Sequence, residues 1–224
     1  MANQEIAILS CILGGFDTPV DPVKQSIPIK FHRWTDENFP PIRGLTPRLQ
    51  YRIPKMFGWQ MLPGHSVYIW LDGAFSFTRK DSAKWFVDQL GHGDIALFRH
   101  PWRKTIKEEV EHIDDYLNRR KGTKRGQDYL IARYKNGLHK EQYNDILLDR
   151  DYVDDILYAS TAFIYKDNDK TREFFKEWFL LQARYFTCDQ VVLPWLVWKH
   201  DLDVNVIEEN QYKLKHLTEV SKHA

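Results

Sequence analysis

The stretch Val67-Tyr-Ile-Trp-Leu-Asp72-Gly-Ala-Phe-Ser-Phe77 is an apolar run interrupted by a single carboxylate. β-Branched, aromatic and leucine residues in succession suit a strand buried on both faces. Asp72-Gly73 breaks the run and leaves an acid at the strand's carboxyl end, where open α/β sheets bind their ligands. Asp72 therefore reads two ways. It is an acid placed to hold a metal or a sugar hydroxyl, or it caps the next turn.

The flanking patterns decide what kind of sheet this strand joins. Ile6 to Leu13 reads as a first strand stopped by Gly14-Gly15, and Ile27 to Trp34 as a second that ends in Thr35-Asp36. Pro47 to Trp59 suits a helix opening on proline, with Arg48, Arg52 and Lys55 at i, i+4 and i+7 on one face. Asp81 to Leu90 is a helix with an Asp cap, closed by Gly91-His-Gly93. Asp94 to His100 is a short strand with a polar end, and Thr105 to Arg119 a helix whose Thr105 and Glu108 form a capping box. A helix follows over 128–136. Asp155 to Lys166 reads as one long strand or a strand pair, Asn168 to Phe186 as an aromatic helix, Asp189 to Lys199 as another helix and Asp203 to Ile207 as a last strand. Strands alternating with helices predict one α/β domain over residues 1–224, with a mixed, mainly parallel central sheet flanked by helices.

Bulk composition narrows the function classes. At 224 residues, 43% hydrophobic and 28% charged, the chain buries a proper core and is not disordered. Eight Trp and eleven Tyr suit an aromatic core or rings on which sugars and bases stack. A net charge of +1 gives no global case for nucleic acid or an anionic membrane. The two cysteines, Cys11 and Cys188, supply no disulfide framework and point to a reducing compartment. The apolar start carries Glu5 and no basic lead, so it reads as a strand and not a signal peptide. No stretch reaches the roughly 20 apolar residues a bilayer crossing needs. The expectation is a cytoplasmic protein without a membrane partner.

The sequence holds no dinucleotide glycine fingerprint, Walker loop, nucleophile elbow, zinc-ligand pair or HExxH helix. What remains is a set of polar residues at strand ends and on helix faces: Asp36, the Arg48/Arg52/Lys55 ladder, Asp72, Arg99-His100, Glu108-Glu109, Asp189-Gln190 and His216. The ladder can offer guanidinium forks and an ammonium to a diphosphate, or it is a solvated helix face. Asp189 is a site carboxylate or a helix N-cap.

Taken in order, Leu13-Gly-Gly-Phe-Asp17, Trp34-Thr-Asp36, Arg48-x-x-x-Arg52-x-x-Lys55, Tyr68-Ile-Trp-Leu-Asp72-Gly, Phe98-Arg-His-Pro101, Glu108-Glu109, Gly137-Leu-His-Lys-Glu141 and Cys188-Asp-Gln190 make a pattern. It resembles a glycosyltransferase-like family once classed as a domain of unknown function, with plant mucilage-related members. That family is similar in pattern to the glycogenin-like, GT-A type transferases, and the resemblance covers nearly the whole chain. It implies a GT-A-like, Rossmann-like fold and transfer of a sugar from a nucleoside diphosphate sugar, UDP-linked above all, to a hydroxyl acceptor. Asp36 would contact the nucleoside; Arg48, Arg52 and Lys55 the phosphates or sugar; Arg99, His100 and Glu109 the acceptor or donor sugar. Asp72 matches the first acid of an Asp-x-Asp element that binds ribose and a divalent metal. Asp189 and Gln190 match an Asp-Gln element at the reacting carbon, and His216 the late histidine that completes metal coordination.

This chain departs from that pattern at Ala74, which stands where the second Asp would be. Three outcomes follow. Asp72 and His216 hold Mg²⁺ or Mn²⁺ with the diphosphate, the cationic ladder replaces the metal, or the fold is degenerate and only binds carbohydrate. The run Arg119-Arg120-Lys121…Lys124-Arg125 adds a further reading, a grip on nucleic acid by an enzyme that glycosylates modified bases, against a solvated basic loop.

Overall fold

The computed structural model describes residues 5–119 and 134–220. The basic run beyond Arg119 and most of the helix expected over 128–136 lie outside the described residues.

Six strands form the central sheet: β1 (Ile6–Ile12), β2 (Lys30–Thr35), β3 (Val67–Asp72), β5 (Ile95–Arg99), β6 (Tyr158–Lys166) and β7 (Val204–Ile207). Their spatial order is β2-β1-β3-β6-β5-β7. β1 pairs in parallel with β2 and β3, and β5 with β7, while β6 runs antiparallel to both its neighbours. The result is the mixed, mainly parallel sheet of a Rossmann-like domain. Two further strands, β4 (Phe75–Ser76) and β8 (Thr218–Glu219), make a separate antiparallel ribbon that is too short for sequence periodicity to reveal.

Helices cover both faces: α1 (Pro47–Met61), α2 (Ser82–Leu90), α3 (Ile106–Arg119), α4 (Leu138–Ile146), α5 (Asp169–Tyr185) and α6 (Leu193–Lys199). The pleat divides each strand between two cores. Ala7, Leu9 and Cys11 of β1 and Tyr68 and Trp70 of β3 join Phe174, Phe175 and Trp178 of α5 and Leu193, Leu196 and Val197 of α6. Ile6, Ile8, Val67, Ile69 and Leu71 join Ala83, Phe86 and Leu90 of α2 on the other side. Asp72 has the parity of Tyr68 and Trp70, so its carboxylate emerges on the α1 and α5 side.

Two caps differ from expectation. Asp81 stands at the start of α2 but makes no capping bond, and its carboxylate accepts from Arg79 Nε at 3.1 Å instead. Thr105 Oγ1 accepts from the Glu108 N–H at 3.1 Å, yet Glu108 reaches back to the Lys104 N–H at 2.6 Å, one residue earlier than a capping box requires. Side-chain caps are made on α1, where Thr46 Oγ1 accepts the Leu49 N–H at 3.2 Å, and on α5, where Asn168 and Thr171 satisfy each other's backbone N–H groups.

Candidate active site

A cavity of about 630 Å³ opens at the carboxyl ends of β1 and β3. It is lined by residues from the β1 end and its loop (Cys11 to Leu13, Phe16, Asp17), the start of α1 (Thr46 to Arg48, Tyr51, Arg52), and the β3–β4 turn (Asp72 to Phe75). Thr161, Phe186, Asp189, Tyr212 and Glu219 complete it. That position is the crevice where parallel sheets take ligands.

The ladder on α1 does not face solvent. Arg52 and Lys55 are each 1% exposed. Arg52 Nε donates to Asp189 Oδ1 at 3.0 Å and its Nη2 to the Thr187 carbonyl at 2.6 Å, while its buried Nη1 meets no partner among the described residues. Lys55 Nζ donates to Asp189 Oδ2 at 2.7 Å and to Asp72 Oδ1 at 3.2 Å. Arg48, half-buried, lines the cavity one turn before Arg52. Cation and carboxylate thus alternate as Arg52, Asp189, Lys55 and Asp72, with Lys55 set behind the residues that line the cavity. The Lys55 ammonium also lies 5.9 Å from the ring centres of Tyr51, Trp70 and Trp178, a distance at which aromatic faces favour a cation.

Asp189 is not a helix cap. Cys188 occupies the cap position of the 3-10 turn Asp189–Val191, and the Asp189 carboxylate points back to Arg52 and Lys55. Burial alone would raise its pKa; the charges of Lys55 and Arg52, the hydrogen bond from Lys55 and the charge of Arg48 overcome this and hold it far below the carboxylate range. So weak a base, with both oxygens occupied, is poorly suited to take a proton from an acceptor hydroxyl. Its evident role is to neutralise and position the two buried cations. Just upstream, Phe186 has φ 53° and lines the cavity. A bulky side chain in left-handed backbone costs about 1–2 kcal/mol, and such strain gathers at functional sites. This turn delivers both the Thr187 carbonyl and Asp189 to Arg52.

Asp72 Oδ1 accepts from the Tyr51 hydroxyl, from Trp70 Nε1 at 2.7 Å and from Lys55. Burial and then the Asp72 charge push the Tyr51 hydroxyl well above its ordinary pKa, so it stays a donor. Three donors exhaust the roughly two lone pairs of one oxygen, and Ala74 brings no second carboxylate. His216 lies flat on Trp85 at 5.2 Å with Asp81 at 3.6 Å, and it does not line the cavity. Among the described residues no group of three or more His, Cys, Asp or Glu gathers as a metal site. The residues therefore do not fit a hard divalent cation, which needs several oxygen ligands. Asp72 and His216 are not brought together.

The remaining candidates fall outside the cavity wall. Asp36 is exposed and accepts the Gly14 N–H at 2.9 Å, fixing the loop that carries Phe16 and Asp17. Gln190 is half-buried beside Asp189 and is not a lining residue. Arg99 forms a two-pronged ion pair with Glu208 at 2.8 and 3.0 Å on the surface. His100 is buried, accepts the Arg103 N–H at 3.1 Å, and is pushed down to about 4 by burial and the Arg103 and His112 charges. Glu109 is buried, pairs with Arg103 and accepts from Cys188 Sγ at 3.5 Å, so it supports the turn behind Asp189.

Sequence reasoning missed Tyr51, Trp70, Ser160, Thr187 and the far wall of Thr161, Tyr212 and Glu219. Tyr51 stands one turn before Lys55, on the ladder's face, and Trp70 has Asp72's parity; these two could have been found. Ser160 could not. β5 and β6 slip register between Leu97 and Phe98, where the partner changes from Phe163 to Ala159. Tyr158 then packs in the α1-side core although Ala162 and Ile164 pack in the other. That irregularity swings Ser160 toward Lys55 and Asp189, each 3.4 Å away.

No protein-family model and no curated protein matches this chain. Among solved structures, 4-diphosphocytidyl-2C-methyl-D-erythritol synthase from Anaerococcus prevotii aligns over 95% of this chain and 92% of its own, at 11% identity and a TM-score of 0.43. A197 from STIV aligns over 91% and 82%, at 9% identity and a TM-score of 0.36. No helix among the described residues is long and apolar enough to cross a membrane.

Proposed function

We propose that the chain is a nucleotide-sugar-dependent glycosyltransferase, which moves a sugar from a nucleoside diphosphate sugar, UDP-linked above all, to a hydroxyl acceptor. The observation that carries this reading is a strand-end cavity with two arginines of α1 in its wall, the half-buried Arg48 at its edge and Arg52 one turn on, held by Asp189. Guanidinium groups fixed beside a crevice at the carboxyl ends of parallel strands pair well with phosphate oxygens. The ordered motifs of the family resemblance support the same ligand.

In this reading the nucleoside lies toward Phe16, Asp17 and the Asp36-held loop, and the diphosphate against Arg48 and Arg52. The transferred sugar lies over Asp72, and the acceptor enters past Tyr212 and Glu219. The bond between the anomeric carbon and the diphosphate breaks as the acceptor oxygen bonds to that carbon, and the diphosphate leaves with the electron pair. Fixed cations beside a departing dianion stabilise the transition state without reorganising. Asp189 keeps those cations in place, and the acceptor's proton passes to one of the cavity's other carboxylates, Asp17, Asp72 or Glu219. A divalent ion has no step here.

A panel of nucleoside diphosphate sugars tested by thermal shift and by release of free nucleotide decides the matter. Stabilisation by one donor class, with slow donor hydrolysis in the absence of acceptor, is the expected result. No stabilisation by any donor or by UDP would overturn it. Binding with no hydrolysis and no transfer would support the second reading, a carbohydrate-binding protein on a degenerate transferase fold, which Ala74 favours.

A further inference from the structure

We propose that an aromatic shelf of Trp102 and Tyr212, backed by the buried Phe75, at the cavity's mouth is the acceptor subsite, and that it selects a neutral saccharide ring. The proposal rests on the transferase reading above and assigns its acceptor class.

Phe75 and Tyr212 line the cavity, and their rings meet edge to face at 5.7 Å. Trp102 stacks on Tyr212 at 5.0 Å with planes 26° apart, and so extends the cavity's apolar wall outward. Trp102 is nevertheless 64% exposed. A side chain this large normally buries most of its surface. Here the loop is built to hold it out. The His100 N–H donates to the Leu157 carbonyl at 2.8 Å, and His100 Nδ1 accepts the Arg103 N–H at 3.1 Å. Arg103 is locked by the buried Glu109. The Tyr212 side is equally anchored: its own N–H donates to Asn210 Oδ1 at 2.9 Å, and the buried neighbour Gln211 donates to Thr161 Oγ1 at 3.1 Å. Two independently fixed loops thus keep an indole and a phenol in register at the entrance.

The polar groups around the shelf choose among ligands with flat faces. Glu219, Asp72 and the Thr161 hydroxyl share the cavity wall with Tyr212. Carboxylates accept hydrogen bonds from sugar hydroxyls while an aromatic face covers the ring's C–H side. The same carboxylates repel a phosphate, so a nucleotide-bearing acceptor would stack only against an unfavourable charge. A neutral polyhydroxylated ring satisfies both the shelf and its rim.

The test uses the intact chain, its Trp102→Ala and Trp102→Phe variants, and a panel of neutral trisaccharides (gluco-, xylo- and manno-). Intrinsic fluorescence reports binding, and UDP release reports turnover with donor present. We expect one trisaccharide series to perturb the emission and accelerate UDP release. Trp102→Ala should raise its half-saturating concentration about tenfold, the loss of one stacking contact. Melting temperature and UDP affinity should stay unchanged, and Trp102→Phe should keep most of the response. If UDP-sugars bind but no neutral saccharide responds, or an oligonucleotide responds in its place, the shelf assignment fails while the transferase reading stands. If Trp102→Ala dissociates a dimer in sedimentation, the surface is an interface between copies and the assignment again fails. If saccharides bind through Trp102 but no nucleotide sugar does, the transferase reading falls and the acceptor assignment with it, leaving the shelf a saccharide-binding site only.

Discussion

Lys55 holds its ammonium 2.7 Å from Asp189, which is buried with it, and 3.2 Å from Asp72 at the cavity wall. Removing one member of such a buried set leaves charge without compensation, which costs about 3–5 kcal/mol. We therefore expect Asp189→Asn to lower unfolding free energy by about that amount in urea titrations, well above the loss of a helix cap. The pH sign follows from its depressed pKa. The stabilisation is complete above the ordinary carboxylate range and is lost as pH falls below about 4 toward the folded value; the variant's acid limb should be flatter. His100 works in a different window. Its folded pKa of about 4 lies below its ordinary 6.5, so between those values the unfolded chain binds a proton the folded chain refuses. Stability should fall as pH drops through that window, and His100→Asn, which can still accept the Arg103 N–H, should remove that slope. An unchanged slope would refute the assignment. At this scale the spacing of Arg48, Arg52 and Lys55 was legible, but their direction was not. Charges on one helix face ordinarily meet solvent, and the counter-charge that turns Arg52 and Lys55 inward lies 137 and 134 residues away in the chain.

Among the elements, α1 carries the site and is shaped to reach it. Pro54 removes one helical N–H and the helix kinks at Phe57, whose φ is −118°. Gly58 then lets α1 approach β1, since a Cβ there would fall 2.3 Å from Leu9 Cδ1. The β3–β4 turn has the same kind of constraint next to Asp72. A Cβ on Gly73 would meet the Cys11 carbonyl oxygen at 2.8 Å, Ile12 Cγ1 at 2.6 Å and Asp17 Oδ2 at 3.1 Å. A strand carbonyl cannot yield as a flexible side chain can, so the turn must move. Gly73→Ala should cost about 1–3 kcal/mol and disturb Asp72, Asp17 and donor affinity together. Stability and affinity both at the wild-type level would show the turn to be more tolerant than this. Long periodic elements such as β1, β3 and α5 were readable from sequence because burial on one or both faces fixes their residue types. The register slip in β6 was not, since Tyr158-Ala-Ser-Thr-Ala-Phe163 suits an unbroken strand equally well.

For the molecule as a whole, the question is what neutralises the donor's diphosphate. The parallel strands end at a cavity of about 630 Å³, within the range of small-ligand sites. Arg48 and Arg52 of α1 lie in its wall, and its acids are engaged by α1 cations or dispersed. A protein that used Mn²⁺ or Mg²⁺ would bind donor weakly once the ion was chelated. One that uses guanidinium groups would not, because arginine needs no ion to carry its charge. We accordingly expect UDP to raise the melting temperature equally in EDTA and in Mn²⁺. A donor at about 100 times its dissociation constant should contribute about 2.7 kcal/mol of stability in either. Arg48 is the cation to vary, because it is half-buried at the cavity edge, whereas removing the buried Arg52 or Lys55 would leave the Asp189 carboxylate undercompensated. Arg48→Ala should weaken UDP binding by about 1.5–3 kcal/mol, the value of a hydrogen bond to a charged group, with little change in the ligand-free melting temperature. Binding that collapses in EDTA and returns with Mn²⁺ would place a metal where the donor set gives none, and would overturn the cationic account of phosphate binding even if transfer itself were observed.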